Sequence, residues 1–199
     1  MSLHPNGAYV DDGSQAYEIE SAYYLDFQIQ SALTSMKLFY TSIDESVWNS
    51  KYQYYHYHSD HLLFSMGQIA NRFIGKKDEG RKRTNRENFR FSENDYPLLS
   101  NKAPRNAIEH IDERNVEIIK KKQGVGGFNA IDKDTPSELA DTLRTKRDIN
   151  PYVLDLVSGE LLIRDGNNDL TIRLEELEKE LLSLQQSVKT LLKFATEFY

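Results

Sequence analysis

Leu174, Leu177, Leu181, Leu184, Val188, Leu191, Ala195 and Phe198 recur at spacings of three and four residues through the C-terminal segment. That is the period of a helix seam and not of a strand. A stripe this regular is expected to be buried, either against other helices of the chain or against a second copy in a dimer. Two more stripes offer themselves as partners. Ser14 is placed to cap a long helix carrying Ala22, Leu25, Ile29, Leu33, Met36, Tyr40 and Ile43 on one face. After a break capped by Asp44 or Ser46, a second helix carries Tyr55, Leu62, Met66, Ile69 and Phe73, and Gly75 suits its end. A third starts near Pro104, carries Ile108, Ile111, Asn115 and Ile118, and closes on Lys120-Lys121-Lys122, where cations suit the negative helix end. The expected fold class is therefore all-α, an antiparallel bundle of four main helices. One small β-hairpin, 152–157 against 160–164 about Ser158-Gly159, precedes the last helix, which is expected from about Thr171.

A chain of 199 residues suits one domain. The expected organisation is a loose lead-in over 1–13 and one domain over 14–199. That domain includes a polar, basic connection at 76–100 and the hairpin at 152–164. Residues 124–150 read as a long loop with a short helix around Pro136–Leu143. Gly124-Val125-Gly126-Gly127 lacks the following Lys-Ser/Thr of a phosphate loop, so it reads as a hinge.

A net charge of −6 argues against a general polyanion binder, so any nucleic-acid contact must use a local patch. The connection supplies one: Arg81, Lys82, Arg83 and Arg86 are the candidate substrate-binding residues. With no cysteine, thiolate metal sites, disulfides and a cysteine nucleophile are excluded, which fits a cytoplasmic location. No apolar run is long enough to span a membrane. Eight of the twelve tyrosines (17, 23, 24, 40, 52, 54, 55 and 57) fall in the first two helices. Their apolar rings and wet hydroxyls suit a core edge or a homodimer interface.

His56, His58 and His61 lie close to Asp60, a composition that invites a metal. His58 and His61 stand one turn apart, but His56 points elsewhere on an ideal helix. His58 also shares the Tyr55–Leu62–Ile69 stripe, where a packed histidine is the ordinary reading. Neither a metal nor another cofactor is expected.

The remaining feature is Arg105-Asn106-Ala107-Ile108-Glu109-His110. It joins a permanent cation, an amide and the one side chain that titrates near neutrality. The stretch, with its continuation Ile111-Asp112-Glu113-Arg114, resembles the signature of the HEPN superfamily. That signature is an arginine, four to six residues and a histidine, often with a polar residue directly after the arginine. The resemblance implies a helical bundle, commonly dimeric, and a metal-independent endoribonuclease of the kind found in toxin–antitoxin or phage-defence systems. It further implies His110 as acid or base, Arg105 as phosphate clamp and Asn106 as the group that orients them. RNA would be the substrate, and an antitoxin-like protein a partner. Five residues on an ideal helix turn through about 140°, so Arg105 and His110 share a face only if the helix start is irregular. Glu109, at i+4, competes for Arg105. The alternative is a catalytically inactive dimeric interaction module on the same bundle.

Overall fold

The computed structural model describes residues 2–3, 9–10, 14–44, 46–48, 50–104, 106, 128–146, 150–165 and 168–197. Its helices are α1 (Ser14–Leu38), α2 (Lys51–Phe73), α3 (Glu79–Asn88), α4 (Pro97–Ser100), α5 (Ser137–Thr145) and α6 (Leu174–Glu197). Strands β1 (Ser2–Leu3) and β2 (Tyr9–Val10) pair antiparallel within the expected lead-in. Strands β3 (Phe128–Ile131), β4 (Tyr152–Asp155), β5 (Glu160–Asp165) and β6 (Asn168–Arg173) form one mixed sheet in that order.

The all-α expectation is thus corrected. The hairpin exists, but it is the middle of a four-stranded sheet, with β3 parallel to β4 and the other pairs antiparallel. A parallel pair needs a crossover, and residues 132–151, carrying α5, provide it. On β6, Leu170 and Ile172 alternate at period two immediately before the seam of α6, so the strand reads as a ragged helix start. Leu174 N–H donates to Gly159 O at 2.9 Å where the strand passes into the helix.

Alternation along the strands decides what each face covers. Phe128, Tyr152, Leu154, Leu161, Ile163 and Ile172 join the main core with α1, α2 and α6. Ile131 and Val153 face the other way and pack with Leu162 against Ala140 and Leu143 of α5. The C-terminal seam is spent inside the chain. Leu177, Leu181, Leu184 and Val188 are fully buried, which leaves them no role as a dimer interface.

Helix α2 is capped by Ser50, whose Oγ accepts from Gln53 N–H at 3.2 Å. Asp44 instead closes a turn by accepting from Ser46. The stretch 76–100, expected to be a connection without regular structure, contains α3 and α4. Glu180 of α6 accepts from the N–H groups of Leu98 and Leu99, which fastens α4 to the bundle. Burial raises the Glu180 carboxyl, and those two N–H donors offset part of the rise.

Asp155 closes β4. Its buried carboxylate accepts from Arg144 Nε at 2.7 Å and from Val157 N–H and Ser158 N–H, joining α5 to the β4–β5 turn. Burial pushes this carboxyl up, but the Arg144 guanidinium and the Ser158 N–H more than compensate, so it sits below its ordinary value. A depressed folded pKa stabilises the fold above the unfolded value, about 4, and that stability is lost as pH falls through the folded value. Asp155→Asn is therefore expected to lower Tm at pH 7, with the gap to wild type narrowing below about pH 4. Thermal melts of both proteins across that range check it; a constant gap would show that charge is not what Asp155 contributes.

Candidate functional site

Arg105 and His110 lie outside the described residues; Asn106 is helical and exposed. Its N–H donates to Lys102 O at 3.1 Å, which sets Asn106 one helical turn after Lys102. Lys102 is itself anchored. Its ammonium donates to Ile74 O at 2.7 Å, at the C-terminus of α2.

The last carbonyls of a helix have no partner of their own. Here three consecutive ones receive side chains: Asn85 Nδ2 bonds Arg72 O, Arg86 bonds Phe73 O and Lys102 bonds Ile74 O. Two of the three donors are cations, which suits the negative end of the helix dipole. The basic segment and Lys102 are thereby gathered at one end of the bundle. Gly75 makes the approach possible. It holds φ +116, and a β-carbon there would meet Lys82 Nζ at 3.0 Å and Lys102 Nζ at 3.1 Å. Gly75→Ala is expected to cost about 2 kcal/mol from backbone strain and displaced lysines. Urea denaturation checks this; an unchanged midpoint would mean the turn relaxes freely.

The four candidate substrate contacts differ in availability. Arg86 is tied to Phe73 O and to Glu79. Arg81 lies over the Tyr17 ring at 5.3 Å, a cation–π contact that seats α3 on α1. Arg83 is exposed and reaches Glu87 only at 4.0 Å. Lys82 is half-buried beside Gly75. Arg83 is the most available for phosphate, whereas Arg86 mainly holds structure.

The histidines divide. His58 is buried among Trp48, Tyr54 and Tyr57, and burial followed by the neighbouring His61 lowers its pKa. His61 packs against Tyr57 with the rings tilted 48° to each other. His56 contacts Asp60 at 3.4 Å and packs on Phe128 at 5.0 Å between ring centroids. No group of three potential ligands converges for a metal among the described residues. Behind His56 lies a cluster of hydroxyls that residue spacing does not mark. Tyr152 is fully buried and its hydroxyl faces Ser59 and Asp60, without closing a well-formed hydrogen bond. Burial, then the Asp60 charge, pushes this phenol well above its ordinary pKa. The tyrosine is therefore a neutral group at physiological pH. A tyrosine that opens a strand gives no signal of this by spacing.

No helix among the described residues is long and apolar enough to cross a membrane. No protein-family model, curated protein or solved structure matches the chain.

Proposed function

We propose that this chain is a metal-independent endoribonuclease of HEPN type. His110 moves the proton, Arg105 holds the phosphate and Asn106 orients them. The observation that supports the reading is the gathering of Lys82, Arg86 and Lys102 at the C-terminus of α2, with Asn106 one helical turn after Lys102. On a chain of net charge −6, a local cationic end is what a polyanionic substrate needs.

Cleavage of an RNA phosphodiester requires a base for the 2′-hydroxyl proton, an acid for the leaving oxygen and a cation for the crowded phosphorane. One motif supplies a single histidine. Two copies facing each other in a homodimer supply both proton-transfer groups. Incubation of purified protein with total RNA in EDTA, alongside His110→Ala, tests the reading. Cleavage by the wild type alone supports it; equal cleavage by both, or none by either, counts against it.

A specific observation favours a second reading, an interaction module without catalysis. Tyr23, Phe27, Tyr57 and Phe64 of α1 and α2 are each about half exposed or more. Aromatic side chains in such number on one helix pair suit a protein interface. For that module, Phe27→Glu is expected to convert a dimer to a monomer in light scattering, while His110→Ala changes nothing. An unchanged mass for Phe27→Glu would remove this surface from consideration.

A further inference from the structure

The N-terminal end of α2 carries a second group of polar side chains. There the chain between α1 and α2 meets the turn after β3 and encloses a cavity of about 720 Å³. Ser42, Ile43, Trp48, Lys51, Tyr55 and Lys133 line most of it, and no acidic side chain among the described residues does. The volume suits a small ligand. Helix α2 is 23 residues long, so this cavity and the cationic end lie about 35 Å apart.

Tyr55 points to what the cavity takes. The residue is 8% exposed and its ring meets Tyr54 edge-on. Its hydroxyl makes no hydrogen bond among the described residues and opens on the cavity, on the side where Asp132 and Lys51 act on it. A polar group so far buried ordinarily has a partner. Burial raises this phenol, so it keeps its proton and can donate. Lys51 donates to Asp132 and Asp134, each at 3.3 Å, which leaves the third of its N–H groups. Asp132 also accepts from Asp134 N–H and Thr135 Oγ1, closing the turn that presents Lys133. Lys133 and Ser42 are exposed and make no hydrogen bond or ion pair among the described residues. Ser50 Oγ accepts from Gln53 N–H and keeps its own hydrogen to donate. Trp48, held by Tyr54 and Tyr57, forms an apolar wall with Ile43.

The polar lining is thus made of donors: three hydroxyls, two ammonium groups and the N-terminal end of a long helix. A matching ligand is rich in acceptors. A carboxylate brings two oxygens, whereas a phosphate monoester brings three, with a charge near −2. Asp132 and Asp134 screen Lys51, so the attraction comes mainly from Lys133 and the positive end of α2. A phosphate fills a small part of the cavity. The remainder, walled by Ile43 and Trp48, suits the body of an ester.

We propose that this cavity binds a small phosphomonoester, with Lys133, Lys51, Tyr55 and Ser42 donating to the phosphate oxygens and Trp48 packing against the body. The proposal does not rest on the ribonuclease reading. Calorimetry of the full chain with glucose 6-phosphate, AMP, glucose, adenosine and inorganic phosphate tests it. At least one ester is expected to bind about tenfold or more tightly than the same molecule without its phosphate, and inorganic phosphate to compete with it. That ester is also expected to change the fluorescence of Trp48, the one tryptophan of the chain, in a saturable way. Tyr55→Phe and Lys133→Ala are each expected to weaken binding about tenfold without lowering Tm, because neither polar group has a protein partner to lose. Asp134→Asn, which removes a carboxylate beside Lys51, is expected to tighten it. The proposal is overturned if neither ester binds more tightly than glucose or adenosine. It is equally overturned if binding leaves Trp48 unaffected, or is unaltered in Tyr55→Phe or Lys133→Ala.

Discussion

Phe73→Ala is expected to destabilise the fold by about 4 kcal/mol, near the middle of the range for truncating a buried phenylalanine. The ring is fully buried at the last turn of α2. It stacks on Phe91 at 4.0 Å with planes 2° apart and meets Phe89 edge-on at 6.0 Å. Phe91 stacks in turn on Tyr96 at 4.8 Å, and the Tyr96 hydroxyl reaches Ser183 Oγ of α6 at 3.2 Å. This column joins the end of α2, the exit of α3 and the bundle. Its loss removes more than contact area, because α3 has few other apolar anchors: Asn85 is the one buried residue within the helix itself. Urea denaturation monitored by circular dichroism checks the magnitude. A loss below 1 kcal/mol would mean that α3 is not held by this column. The variant is also expected to release the cationic end, so RNA binding should weaken beyond what the reduced folded fraction explains.

Much of the helical frame was legible because burial and period coincide. Ala22, Leu25, Ile29 and Met36 are buried where the stripe of α1 places them, and the seam of α6 is buried from Leu174 to Val188. The sheet was only partly legible. β3 is four residues long, Phe-Asn-Ala-Ile, with its pairing partner more than twenty residues away in sequence. Neither its length nor its composition separates it from loop. Leu170 and Ile172 carry strand alternation for only two apolar steps before Leu174 restarts a period that also fits a helix. α3 was hidden for a different reason. Its sequence, EGRKRTNREN, has no apolar stripe. Capping contacts to α2 and the flanking Phe89 and Phe91 fix it in place instead. These are tertiary causes that a local pattern does not contain.

Of the candidate site, the sequence offers residue types and a spacing that resemble the HEPN signature, and Arg105 and His110 lie outside the described residues. That the basic segment and Lys102 meet at the end of α2 is a consequence of folding. Arg90 belongs to the basic stretch by composition, but its left-handed backbone, φ +52, appears only once α3 is seen to end there.

The second large effect falls on catalysis. General acid–base groups contribute roughly 10²–10⁴-fold to rate, so on the proposed ribonuclease reading His110→Ala is expected to reduce RNA cleavage by at least 10²-fold. Arg105→Lys keeps the charge but loses the planar fork that matches a phosphate. It is expected to give an intermediate loss that lengthened incubation does not restore. The rate ratio of wild type to His110→Ala on a single-stranded RNA, measured under single-turnover conditions in EDTA, tests the central claim directly. A ratio of at least 10² is the predicted result. A ratio near one, or a wild-type rate that matches buffer alone, would contradict it.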